Sequence, residues 1–388
     1  MASESPPQYP LGVARTGRDA LDPDAVVVSH GHLDHAGALP ALLSGEDDPT
    51  VHWTPPTREL ALTLADDTLN LHGNTPQCPF TELDVRRLTG VSETHGYRET
   101  FEAAGYEVTL YNAGHIPGSA HVLVDDGDRR LLYTGDFHTD DQRLVAGTTA
   151  RPDADAVICE STYADTSHED RGRVEREFVE SVRTTVWEGG TVVVPAFAIG
   201  RTQEIMLVCA AHDIDCYVDG MGQRVTRQLR RYPEFLRDAD ALQRASSNAR
   251  FVDSPGQRER IADGNEVIIT TSGMLSGGPA MTYVPAIRRN PTNKVALTGY
   301  QVEGTPGREL LETGSAEFDG QLMPVSAQVE LYDFSAHADR EGLLDFLDAY
   351  EDSRVVVNHG DKTGQFAADL TERGMDATAP ELGETVTI

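Results

Sequence analysis

The sequence predicts an α/β chain whose chemistry sits on loops at the carboxyl ends of strands. Three observations support this. The run Ala25-Val26-Val27-Val28-Ser29 is short, apolar and β-branched, so it reads as a buried strand, and it leads directly into His30-Gly31-His32-Leu33-Asp34-His35. Later apolar runs end the same way, in a histidine, aspartate or glutamate close to a turn. From about residue 166 a fresh alternation of strand and helix begins, with two of its turns rich in glycine. Open α/β sheets place their ligands at this end of the strands.

Taken in order, the first loop holds three histidines and an aspartate within six residues, and residues 36–43 read as a helix start. His30 and His32, at alternate positions, can point one way while Asp34 and His35 point another. Imidazole with carboxylate suits zinc, and two sets of ligands suit two zincs. Residues 51–53 read as a short strand and 57–72 as a helix. His52, His72 and His95 lack ligand spacing and read as surface or satisfied core histidines. Strand 107–112 runs into Gly114-His115-Ile116-Pro117-Gly118-Ser119, a second ligand-type loop. Strand 121–124, a turn at 125–128 and strand 131–133 follow, ending at Gly135-Asp136. Taken singly, His115 is a loop histidine and Asp136 a turn aspartate; after the first motif both read as further ligands.

Strand 156–159 ends in Glu160-Ser161-Thr162-Tyr163. Helix 169–188 and strand 191–194 lead to a turn at 195–201, strand 215–218 to Gly220-Met221-Gly222, and strand 266–270 to 271–278. Each of these turns opens a helix, whose free N–H groups and dipole can seat phosphate, which nominates Arg201 and Ser272. Strand 294–300 precedes a polar loop carrying Arg308. Strand 327–332 ends in Phe334-Ser335-Ala336-His337-Ala338-Asp339, and strand 354–357 in Asn358-His359-Gly360. A helix at 363–373 and a short strand at 385–387 are expected to close the chain.

At 388 residues the chain can form two domains. Its 32 basic and 63 acidic residues give a net charge of −31, spread along the chain. Lys294 and Lys362 are the only lysines, and arginine supplies the rest of the positive charge. A diffuse acidic excess with arginine in place of lysine suggests a halophilic protein from a cytoplasm of very high salt. The four cysteines show no close pair or metal-finger spacing and are expected to be reduced. No apolar run approaches the ~18 residues of a membrane span, and the polar start is no signal peptide, so a cytoplasmic protein with no membrane partner is expected.

The His/Asp loop with His115, Asp136, Glu160-Ser161-Thr162-Tyr163, Ser335-Ala336-His337-Ala338-Asp339 and His359-Gly360 resembles the β-CASP branch of the metallo-β-lactamase superfamily. The resemblance covers nearly the whole chain from Asp24 onward. It implies an α/β fold, an αββα metallo-β-lactamase sandwich from residues 1–165 and 323–388, with a β-CASP cap at 166–322 inserted between and RNA lying in the cleft. It also implies two Zn2+ ions. One would take His30, His32, His115 and Asp136; the other Asp34, His35, His359 and the shared Asp136. His337 would act as general acid with Glu160 holding its ring, and Asp34 joins them among the catalytic residues. Ser119, Arg201, Ser272, Arg308 and Ser335 are the expected RNA or phosphate contacts. The implied activity is zinc-dependent hydrolysis of RNA, internally or from a 5′ end, in RNA processing or decay. Beyond RNA, the partners considered are a second copy of the chain or an RNA-processing complex. One departure is plain: the family's upstream hairpin, with an aspartate before a glycine, has too few residues to form before Val26. The competing functions are a small-molecule metallo-hydrolase and a non-catalytic scaffold subunit. The first fits poorly with the inserted cap, the second with a complete ligand set.

Overall fold

A computed structural model describes residues 23–43, 48–73, 75, 78–381 and 383–388. The upstream hairpin position lies outside the described residues. The chain forms two compact units. The first takes the described residues through Asp141, Ala146–Ser167 and Ala336–Ile388; the second takes Gln142–Val145 and His168–Ser335.

The first unit opens with strand β1 (Ala25–Val27), followed by the His/Asp loop and a short helix, Leu33–Ala36. Strand β2 (Thr50–Trp53) runs parallel to β1. Thr54 then caps helix Pro55–His72: its hydroxyl accepts the Thr57 amide, and proline occupies the first helical positions, where its missing N–H costs nothing. That helix buries Leu60, Ala61 and Ala65. Helix Glu82–Gly90 and strand β3 (Ser92–Thr94) complete this side, β3 pairing parallel with β2. Strands β4 (Thr100–Ala103), β5 (Tyr106–Asn112), β6 (Ala120–Asp125), β7 (Arg130–Tyr133) and β8 (Ala156–Glu160) begin the larger sheet. Among them β4 to β7 meet their neighbours antiparallel, whereas β7 and β8 are parallel.

The second unit begins its regular structure with helix Arg171–Trp187 and strand β9 (Val192–Pro195), whose four residues are all buried. Strands β10 (Tyr217–Asp219), β11 (Arg250–Phe251), β12 (Val267–Thr270) and β13 (Lys294–Leu297) alternate with helices, including Arg201–Ala211, Met221–Leu229, Ala239–Asn248 and Ala280–Ile287. A hairpin, β14 (Ser315–Phe318) with β15 (Gln321–Pro324), precedes β16 (Gln328–Leu331). The sheet order is β11-β10-β12-β9-β13-β16, and all of its pairs are parallel. Strand β16 pairs with β13, and the contact boundary between the units falls at Ser335–Ala336.

The chain then re-enters the first unit through helix Arg340–Leu347, capped by Asp339, whose carboxylate accepts the Gly342 amide. Strand β17 (Arg354–Asn358), helix Thr363–Glu372 and strand β18 (Asp376–Thr378) end the regular structure. The larger sheet is therefore ordered β18-β17-β8-β7-β6-β5-β4. The closing strand is Asp376–Thr378, not the expected 385–387, because residues 376–378 can pair with Arg354–Val356 once the preceding helix turns back. Among the described residues four sheets, of three, six, two and seven strands, combine with helices in the expected α/β fold. One core gathers Leu132, Phe137, Val157, Phe346, Val357 and Phe366, all buried. Among the described residues no helix is long and apolar enough to cross a membrane. Cys159, Cys209 and Cys216 are buried thiols and Cys78 a partly buried one.

Candidate metal centre

Topology gathers the ligand-type residues. Strands β5 and β7 both run antiparallel to β6, so they share a direction, and β7, β8 and β17 are mutually parallel. The loops after β5, β7 and β17 and the end of β8 thus meet at one edge, bringing together His115, Asp136, His359 and Glu160. The His30–His35 loop reaches the same place: Ser29 C=O accepts the Ala120 amide at 2.8 Å, which ties it to the start of β6.

Glycine permits two of the close approaches. Gly135 (φ +54°) precedes Asp136, and a Cβ there would stand 2.8 Å from the Ser29 Cβ. Gly118 (φ +88°) lets the His115 loop lie on Thr54 and Thr57, whose hydroxyls donate to its carbonyl at 2.7 and 2.9 Å. His359 has no such freedom and still adopts φ +47°, a strained backbone that the surrounding structure must hold.

Asp136 lies at the middle of the cluster, and its two carboxylate oxygens face different partners. Its Oδ2 is 3.5 Å from His30 Nε2 and 3.9 Å from His115 Nε2. Its Oδ1 is 3.3 Å from His35 Nε2 and 3.5 Å from His359 Nδ1. His32 Nδ1 and His115 Nε2 are 3.0 Å apart, and His35 Nε2 and His359 Nε2 3.2 Å. Asp34 Oδ2 closes the second set, 3.3 Å from His359 Nε2 and 3.6 Å from His35 Nε2. Two groups of potential ligands result, His30-His32-His115-Asp136 and Asp34-His35-Asp136-His359. His30 and Asp136 are buried, yet His30 Nε2 and Asp136 Oδ1 make no hydrogen bond. Each orphaned atom lies beside a further ligand atom, His30 Nε2 3.5 Å from Asp136 Oδ2 and Asp136 Oδ1 3.3 Å from His35 Nε2, a separation that suits a cation between them, so the residues fit a metal.

The electrostatics agree. Burial, followed by the neighbouring imidazoles, pushes His30 and His115 well below the ordinary histidine range, which keeps them neutral and able to ligate. Burial also pushes the Asp136 carboxyl up, but His30 and His35 outweigh it and hold it well below the usual range. Asp34 balances burial in the same way against the hydrogen bond from His359, and its acidity is likewise increased. His115 Nδ1 donates to the Ala336 carbonyl at 2.9 Å, which leaves Nε2 as the nitrogen able to accept a cation.

Beside this cluster, His337 Nδ1 lies 3.2 and 3.3 Å from the two Glu160 oxygens, and its ring centroid is 4.5 Å from that of His115. Glu160 is itself fixed, accepting the Phe137 amide at 2.8 Å and the Thr162 amide at 3.2 Å. Thr162 enters the sequence analysis only within the Glu160–Tyr163 run, with no role of its own. Its hydroxyl donates to Glu160 Oε2 and lies 3.1 Å from His359 Nδ1, linking the acid pair to the ligands. The signal was present, since Thr162 stands two residues after Glu160 at the same strand end.

The expected phosphate contacts fare differently. Ser119 is fully buried, and its Oγ accepts the His115 and Ile116 amides, so it shapes the ligand loop and cannot face a substrate. Arg201, Ser272, Arg308 and Ser335 belong to the second unit. Arg201 does open helix Arg201–Ala211. Ser272 Oγ accepts the Ser276 amide at 3.0 Å, and Arg308 pairs with Glu312 at 2.6 Å along its helix. The Ser335 amide donates to Asp333. His52 and His95, expected as surface or satisfied core histidines, come together 3.0 Å apart.

A sheet edge that collects two histidine–carboxylate sets around one shared aspartate defines a metallo-hydrolase fold. Residues 3–157 match the metallo-beta-lactamase superfamily, 202–310 the Beta-Casp domain, and 322–380 the Zn-dependent metallo-hydrolase RNA specificity domain. A probable RNase of Methanocaldococcus jannaschii is 33% identical over 95% of this chain and 89% of its own length. An RNase of Saccharolobus solfataricus is 36% identical over 93% of this chain and 74% of its own. A transcription termination factor of Methanothermobacter thermautotrophicus is 32% identical over 93% of this chain, which spans 62% of that protein. The chain belongs to the β-CASP branch of the metallo-β-lactamase superfamily.

Proposed function

We propose that the chain is a ribonuclease that hydrolyses RNA phosphodiester bonds with two zinc ions. The observation that carries this is Asp136 dividing its two oxygens between two histidine sets, with the His337–Glu160 pair alongside. The names of the similar RNases supply RNA as the substrate class. His30, His32, His115 and Asp136 would hold one ion, and Asp34, His35, His359 and Asp136 the other. Bound metal supplies Lewis acidity, lowering the pKa of water and neutralising the phosphate during in-line attack.

The chain's own residues supply the proton. His337 is partly open, its side chain 19% exposed, while Glu160 behind it is buried. Burial would lower the His337 pKa, but the Glu160 carboxylate, through charge and hydrogen bond, raises it overall. Nδ1–H donates to Glu160, so the transferable proton is carried on Nε2, ready for the leaving oxygen. Thr162 and the Phe137 amide hold Glu160 so that the ring cannot swing. The complete ligand set argues against a scaffold role.

His337→Ala is expected to slow cleavage of a labelled RNA by ~10²–10⁴-fold while leaving the zinc content unchanged. If that variant loses zinc, His337 is a ligand and the assignment fails. If it cleaves at the wild-type rate, the protonating role fails.

A further inference from the structure

His52, Glu93 and His95 form a third ligand cluster, and none of the three belongs to the centre described above. The strand register brings them together. His52 on β2 stands directly opposite Glu93 on β3 in a parallel pair, so their side chains share a face. His95 follows two residues later, with its amide bonded to the Trp53 carbonyl at 2.9 Å, and the alternation places it on that same face. His52 Nδ1 lies 3.0 Å from His95 Nε2 and 3.8 Å from a Glu93 oxygen, and the three ligand atoms all fall within 4.8 Å of one another. Both histidines are buried, whereas the Glu93 side chain is 61% exposed and can swing inward.

The surroundings suit a cation. The His95 ring stacks on Phe101 with centroids 3.6 Å apart and planes within 7°, and His52 lies over the same ring at 5.0 Å. An aromatic floor fixes both imidazoles and offers no competing donor. Burial, followed for His52 by the charge of His95, lowers the pKa of both histidines, so they are neutral ligands near pH 7. Zinc–nitrogen legs of ~2.0–2.1 Å in a tetrahedron place two nitrogens about 3.3 Å apart, close to the separation found here.

We propose that His52, Glu93 and His95 bind one further divalent cation of the zinc type, separate from the catalytic centre. The cation replaces the proton shared between the two rings and pins the three-residue strand β3 to β2. The clip also braces the centre indirectly. β2 leads directly into Thr54 and Thr57, which hold the Gly118 carbonyl in the His115 loop.

The test is equilibrium dialysis of the metal-stripped full chain against Zn2+ alone, comparing wild type with Glu93→Gln and with the double variant His52→Gln/His95→Gln. The double variant is expected to bind one equivalent fewer. The exposed Glu93→Gln change, which leaves the core intact, is expected to weaken one equivalent by about tenfold or more. Zinc should raise the wild-type melting temperature by a larger increment than it raises that of the double variant. Equal stoichiometry in wild type and double variant, or an unchanged affinity in Glu93→Gln, overturns the proposal. Because the readout is the difference of one equivalent and not the total, a failure of the two-metal reading at Asp136 would be recognised separately.

Discussion

At the scale of single residues, burial decides which protons the chain can hold. His121 shows this away from the metal centre. It is fully buried, with Nδ1 2.8 Å from the Thr134 carbonyl and Nε2 3.0 Å from the Thr148 hydroxyl. Desolvation pushes its pKa down to about 4 despite the carbonyl contact, against 6.5 in a solvated chain. Below pH 6.5 the unfolded chain takes up a proton that the folded chain refuses until about pH 4, so folding stability falls as pH drops through that window. The full effect is about 3 kcal/mol, from 1.36 kcal/mol per pKa unit. Urea melts between pH 7 and 4 should therefore show a shallower pH slope for His121→Gln than for wild type. Parallel slopes would mean that His121 is not held neutral. The neutral histidines of the candidate centre follow from the same physics: an imidazole kept uncharged by burial is ready to bind a cation.

At the scale of elements, the loops are placed by capping and by strand direction. Thr54 both caps helix Pro55–His72 and holds the Gly118 carbonyl, so it joins a helix start to a ligand loop. Thr54→Val keeps the shape but removes both bonds. It is expected to cost about 1–3 kcal/mol in chemical denaturation, from a lost cap and a buried carbonyl left with one donor fewer. A change within about 0.5 kcal/mol, the range of ordinary surface substitutions, would contradict the role given to Thr54. This level also shows what the sequence could reveal. The His30–His35 loop, Gly135-Asp136 and Asn358-His359-Gly360 were legible because each follows a short apolar run that reads as a strand, a local pattern. The pairing of His52 with His95 was not, because it depends on the register between β2 and β3, separated by two helices. Ser119 was expected among the phosphate contacts, but the folded loop turns its hydroxyl onto its own amides. The strand expected at 385–387 failed for a similar reason, since a β-branched run becomes a strand only where a sheet edge is waiting.

At the scale of the whole molecule, charge is the dominant fact. A chain at −31 repels RNA, and at physiological salt the field reaches ~8 Å into solvent. In molar salt that length falls to ~3 Å, so an acidic shell no longer opposes locally positive groups such as Arg201. The same screening relieves repulsion among surface carboxylates and favours the compact state. If the acidic surface is a halophilic adaptation, melting temperature and RNA cleavage should both hold in ~2 M KCl and both fall on dilution to ~0.1 M. The reverse pattern, a rate optimum near ~0.1 M with unchanged melting, would remove the halophilic reading and leave the metal chemistry intact. That chemistry rests on one side chain, because Asp136 is the carboxylate common to both ligand sets. The most direct measurement is the initial rate of RNA hydrolysis by Asp136→Ala, taken together with its bound zinc. Removing the shared ligand is expected to abolish cleavage and to release about two zinc equivalents per chain. An Asp136→Ala protein that cleaves within about tenfold of wild type, or that loses only a single ion, would contradict the two-metal site.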